Sequence, residues 1–182
     1  SHLTVLGGAT TSRPAVLMRS AFAGAQIHAQ KQILAGQWQI LMLDSSVPDK
    51  VYGHLAEDQL AFLDQALGQY PDRHALVVLH HQPVPVGSRW LDGIGLQNSE
   101  ALFAVLARHP QVRLVLWGHV HQEFDARHGS LRLLATPSSC VQFRPGSEDF
   151  SAGDEAPGYR VLELAADGGC VTAVRRIEHM KF

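Results

Sequence analysis

The sequence predicts an α/β fold: a layer of largely parallel strands with an antiparallel sheet added at its C-terminal side. Three observations predict it. Strand and helix patterns alternate through the first two thirds of the chain. WQILMLD (38–44), ALVVLH (75–80) and VRLVLW (112–117) are apolar runs of strand length, the first almost continuously apolar, as in a strand buried on both faces. The last third reads as short strands joined by turn signals.

Each element has a local reason. Ser1-His2 has the form of an expression-tag scar and is set aside from the fold reading. Ser12-Arg13-Pro14 followed by AVLMRSAFAG reads as a helix start, with Ser12 as cap, Pro14 in the first turn and Gly24 at the end. KQILA and WQILMLD, separated by Gly36-Gln37, read as a hairpin. Residues 45–54 are a loop by Pro, Gly and Ser content. Ala56, Leu60, Leu63 and Leu67 recur at helical spacing, and Gly68 and Pro71 close that helix. Residues 81–97 are a long Pro/Gly-rich loop. Asn98 can cap a helix running through Arg108, with Glu100 favourable in its first turn. Strands follow at QEFDAR and LRLLATP around the His128-Gly129 turn. A polar loop spans 144–157. YRVLEL, the turn Asp167-Gly168-Gly169 and CVTAVRRIE form a final hairpin. The whole is read as one domain, 1–182.

Composition narrows the function. The chain has 182 residues, 46% hydrophobic and 18% charged, enough for an apolar core. A net charge of -2 gives no basic footprint for wrapping nucleic acid. No apolar run reaches membrane-span length. Cys140 and Cys170 follow no CxxC pattern, so reduced thiols in a cytoplasmic protein are expected. The unusual count is histidine, at eleven. Of these, His28, His54, His74, His109, His128 and His179 lack close partners in the sequence and read as surface or loop residues.

The other histidines carry the chemistry. His80-His81 ends one apolar strand, and Gly118-His119-Val120-His121 ends another. Ligands in open α/β sheets bind beyond the carboxyl ends of the strands. His119 and His121, two apart, would point the same way in extended backbone, with Gly118 allowing a sharp turn before them. Were the two strands neighbours, three or four imidazoles would converge. Imidazole suits Zn, Fe, Mn, Co or Ni rather than Ca or Mg. A two-metal centre suits phosphate-ester hydrolysis.

VVLHHQPVPVG and LVLWGHVHQEFD resemble the last two metal motifs of the calcineurin-like metallophosphoesterases. Together with WQILMLDS and LLATPSSCVQFRP, they are similar to segments of the bacterial class III cyclic-nucleotide phosphodiesterases. The likeness runs from about Pro14 to about Arg176. It implies part of a sandwich of mixed β-sheets flanked by helices. It implies His80 and His119 as ligands of a second metal and His121 as ligand of a first. His81 would stand behind the ligands or near the phosphate. Two divalent ions (Fe, Mn, Zn or Co) and hydrolysis of a phosphodiester such as cyclic AMP are implied with them. Arg144 is a candidate phosphate contact, against a solvated loop role. Asn98 is a candidate substrate contact, against a helix cap.

The family's earlier DxH and GDxxD motifs have no counterpart here. At the place of its GNHD motif stands Gly8-Ala9-Thr10-Thr11, with Ala9 for the ligand Asn and Thr10 for the catalytic His. The expectation is the C-terminal portion of such a domain, either a fragment of an enzyme or a relative that binds without turnover. Unpaired edges and apolar faces left by missing strands would favour a homodimer or higher oligomer.

Overall fold

A two-residue hairpin forms one edge of the main sheet. The computed structural model describes residues 2–5, as backbone alone, and 31–177. The helix expected from Ser12 and the Gly8-Ala9-Thr10-Thr11 stretch lie outside the described residues. In chain order the strands are β1 (His2–Val5), β2 (Gln32–Ala35), β3 (Trp38–Met42), β4 (His74–Leu79) and β5 (Val112–Trp117). They continue as β6 (Phe124–His128), β7 (Leu131–Ala135), β8 (Gly158–Leu164) and β9 (Cys170–Arg176). The helices are α1 (Glu57–Gln69), α2 (Arg89–Asp92) and α3 (Ser99–Leu106).

Ala35 pairs with Trp38 across the Gly36-Gln37 turn, and Gly36 adopts φ +57°. A two-residue hairpin turn needs positive φ, which glycine supplies without steric cost. The main sheet has the order β2-β3-β4-β5-β7-β6. β3, β4, β5 and β7 run parallel, while β2 and β6 are antiparallel edges. A second, antiparallel sheet has the order β1-β8-β9.

Side-chain alternation sorts the main sheet into two faces. Trp38, Ile40, Leu76, Leu114, Leu116 and Leu134 pack on one side with Leu162 of β8. Leu41, Val77, Val115 and Leu133 face the other way, against Leu63 and Leu67 of α1 and Leu102 and Val105 of α3. Each fully buried Leu or Val contributes roughly 2 kcal/mol from area removed from water. Gln39 falls on the helical face, and its amide Nε2 donates to the Ala66 carbonyl at 2.7 Å. The second sheet therefore covers one face of the main sheet and the helices cover the other, as the sequence predicts.

Four details differ from the sequence expectation. His2, set aside as a tag scar, lies in β1 and pairs with Glu163. β6 and β7 join the main sheet rather than the added one. The 81–97 loop contains α2, and Asp92 holds the loop before it by accepting from the Val86 and Gly87 amides at 2.7 and 3.2 Å. Finally, β3 and β4 are interior strands with neighbours on both sides, so neither of these apolar runs presents an open edge.

Candidate metal centre

Strand register levels the carboxyl ends of β3, β4 and β5. Met42 pairs with Val78, and Leu79 pairs with Trp117. The Gly118 amide then donates to the His80 carbonyl at 3.2 Å. The residues just past each strand, Asp44-Ser45, His80-His81 and Gly118-His119, therefore share one rim.

Three imidazoles meet there. The ligand nitrogens of His80, His81 and His119 all lie within 4.8 Å of one another. His119 Nδ1 and His80 Nε2 are 3.3 Å apart. The rings of His80 and His81 are 4.8 Å apart, and those of His81 and His119 are 4.6 Å apart. His119 Nε2 is buried without a well-formed hydrogen bond among the described residues, although the Ile94 backbone lies close enough to favour the protonated ring. A poorly compensated buried imidazole nitrogen is costly, and it is the atom a cation would satisfy. The donor set thus fits a divalent ion that accepts imidazole. Among the described residues no carboxylate completes the group.

The backbone geometry corrects one premise. Residues 119–121 are not extended: His119 has φ +57° and His121 φ +48°. The left-handed turn falls on the histidines and not on Gly118, whose hypothetical Cβ would meet His80 Nδ1 at an ordinary 3.6 Å. Non-glycine residues in this region cost about 1 kcal/mol or more each, and such strain gathers at functional sites.

His121 is buried beside the cluster but outside the group of three. Its Nδ1–H donates to the Val141 carbonyl at 2.9 Å, which puts the acceptor lone pair on Nε2. Its ring stacks on Phe143 at 4.2 Å and 9°.

His81, expected behind the ligands, is inside the group. Ser45 Oγ lies 2.9 Å from its Nδ1. A Cβ on Gly53 would come within 2.4 Å of the His81 ring, so the Gly53 backbone is packed directly against it. The sequence reading missed both residues, although Ser45 stands where a parallel neighbour strand would deliver a side chain to the same crevice.

Asn98 spans two segments. Its Oδ1 accepts from the Leu55 amide at 2.9 Å, and its Nδ2 donates to the Leu55 carbonyl at 2.8 Å. It precedes α3 but makes no side-chain cap, because the amide is committed to Leu55. Arg144 is largely exposed, with a loose ion pair to Asp154 at 3.7 Å.

Burial keeps the cluster neutral. Desolvation, with the neighbouring His81 and His121, lowers His80 to about 4. Desolvation, with His81, His80 and His121, lowers His119 to about 3. Desolvation also lowers His81, against the Val51 backbone and the Asp44 charge, which favour its protonated form. The unfolded chain takes these protons near 6.5, so their neutrality contributes stability that is full above pH 6.5. That stability is lost as pH falls through about 4. In chelator, the unfolding free energy from urea titration should fall across this window by up to about 1.4 kcal/mol per pH unit for each such histidine. Replacing His80 and His119 together by Gln should flatten the slope; an unchanged slope would contradict the assignment.

A cluster of imidazoles at the strand ends of a two-sheet α/β sandwich is an arrangement that can hold a divalent metal ion. A family model for calcineurin-like phosphoesterases matches residues 34–123. Over these residues the chain belongs to that family. It is 52% identical over 147 residues to the 3',5'-cyclic adenosine monophosphate phosphodiesterase CpdA of Pseudomonas aeruginosa, covering 81% of this chain and 54% of that protein. It is 47% identical over 166 residues to the Escherichia coli protein of the same name, covering 91% and 60%. The chain thus spans little more than half the length of these relatives. A dimetal phosphatase from Danio rerio shares the fold, with TM-score 0.51 at 19% identity, covering 70% of this chain and 54% of that one.

Proposed function

We propose that the chain is the histidine-bearing, C-terminal portion of a metal-dependent phosphodiesterase that hydrolyses cyclic AMP to 5'-AMP. The convergence of His80, His81 and His119 at the ends of adjacent parallel strands carries this reading. The 52% and 47% identical relatives supply the substrate class. His80, His119 and either His81 or His121 would hold a divalent ion such as Zn, Mn, Fe or Co. When bound, such an ion supplies an activated hydroxide and charge stabilisation at phosphorus.

The chain's own residues prepare that site. Ser45 and Gly53 fix the His81 ring. The Val141 carbonyl fixes the His121 tautomer. Burial keeps His80 and His119 neutral, so both remain ligands at mildly acid pH. Both cysteines are unpaired, which accords with a cytoplasmic setting.

A second reading, binding without turnover, has its own observation: no carboxylate joins the imidazoles among the described residues. One experiment separates the two. Bound metal is measured by mass spectrometry and calorimetry. Hydrolysis of bis(p-nitrophenyl) phosphate and cyclic AMP is measured with and without a supplied segment bearing the family's carboxylate motifs. The enzyme reading expects bound metal and turnover with that segment. Metal without turnover in either form favours the second reading, and neither metal nor turnover overturns both. Sizing the same samples by light scattering tests self-association, for which Leu34 on β2 and Val171 on β9, both exposed on edge strands, are the support.

A further inference from the structure

A line of aromatic rings leads away from the imidazoles to the surface. The His121 ring lies flat on Phe143 at 4.2 Å. Phe143 meets Trp90 edge-on at 5.1 Å and Phe150 at 5.5 Å. Trp90 and Phe150 close the triangle at 5.4 Å. Two of the three rings are partly buried, while Phe150 is 66% exposed.

The group is braced from several directions. Trp90 comes from α2, and its indole N–H donates to Ser147 Oγ at 3.2 Å. Phe143 and Ala152 form a β-bridge that closes the loop carrying Phe150. The Arg144 amide donates to the Ser151 carbonyl at 2.8 Å, and the Gly146 amide donates to Ser88 Oγ at 3.0 Å. Arg89 and Glu148 tie α2 to the same loop at 2.9 Å.

An exposed phenylalanine alone is ordinary. This one belongs to a braced aromatic array whose inner end touches a histidine at the candidate centre. His121 follows His119 by two residues on the same left-handed turn, which places the array's root beside the cluster. A flat, apolar ring face held in place beside a phosphate-directed site matches one chemical class. That class is the planar base of a nucleotide. Stacking on a preorganised ring contributes affinity without loop ordering.

We propose that Trp90, Phe143 and Phe150 form a stacking shelf for the base of a nucleotide whose phosphate lies at the His80, His81 and His119 cluster. The phosphate end and the choice of a nucleotide rest on the phosphoesterase reading; the braced aromatic array does not.

Trp90 provides the probe. Trp38 and Trp117 are buried, at 2% and 1% exposure, so a base on the shelf should quench Trp90 selectively. The full chain is titrated with 5'-AMP, adenosine and ribose 5-phosphate, with bound metal measured in parallel. AMP and adenosine should quench, and ribose 5-phosphate should not. Phe150→Ala should weaken AMP and adenosine binding by about tenfold, while Phe150→Tyr keeps it. Phe150 touches none of the imidazoles, so metal binding should be unchanged in both variants. Phe150-sensitive adenosine binding by a chain that holds no metal would uphold the shelf and sink the phosphoesterase reading. Metal binding without adenosine binding, or adenosine binding indifferent to Phe150→Ala, would overturn the shelf.

Discussion

His119→Ala should weaken divalent-metal binding by the chain more than about 100-fold. Loss of groups that merely orient ligands already costs 10–100-fold in metal sites, and His119 stands among the ligands. It approaches His80 at 3.3 Å between nitrogens and His81 at 4.6 Å between ring centres. It is 3% exposed, so water cannot replace it cheaply. Calorimetric titration with Zn2+ or Mn2+ gives the affinity, and circular dichroism confirms that the fold persists. Retained affinity would move the centre elsewhere. His119→Gly should lose the metal equally. Without metal it should lose less stability than truncating a core side chain of similar size, because glycine relieves the φ of +57°. Backbone strain held in the empty protein is the pattern expected of function rather than packing.

The strands were legible because apolar run length and turn residues are local signals. WQILMLD, ALVVLH and VRLVLW each declare a buried strand, and parallel register then brings His80 to Gly118 without further information. The histidine pairs were legible as a cluster for the same reason. Their internal arrangement was not. Extended geometry would place His80 and His81 on opposite sides and His119 with His121 together. Beyond the last strand hydrogen bonds the backbone leaves that geometry, and the left-handed turns at His119 and His121 separate the second pair. His81 is turned into the cluster by Ser45 and Gly53, both from the loop after β3, a tertiary effect that no spacing announces. Asn98 shows the same limit: its sequence position suits a cap, yet the Leu55 backbone claims both ends of its amide.

Gly53→Ala should therefore damage the site and the fold together. The Gly53 backbone needs no glycine for its φ, which is not in the left-handed region. The requirement is space. An added Cβ would sit 2.4 Å from His81 Cγ and Nδ1 and 2.6 Å from its Cβ. The last of these atoms is fixed to the main chain, so rotating the ring cannot relieve the clash. The Gly53 segment is held in turn, its amide donating to Gly95 at 3.1 Å and its carbonyl accepting from Gln97 at 2.8 Å. Something must break, and overpacking of this kind costs about 3 kcal/mol. Displacing His81 from Ser45 should also weaken metal binding by 10–100-fold, as loss of an orienting partner does. Thermal unfolding and metal titration read the two effects. Adding His81→Ala should recover part of the stability but none of the metal affinity, because it removes the 2.4 Å contacts and leaves the 2.6 Å one. If Gly53→Ala left both stability and metal binding unchanged, the close packing of this loop on His81 would be wrong, and with it the account of how His81 enters the cluster.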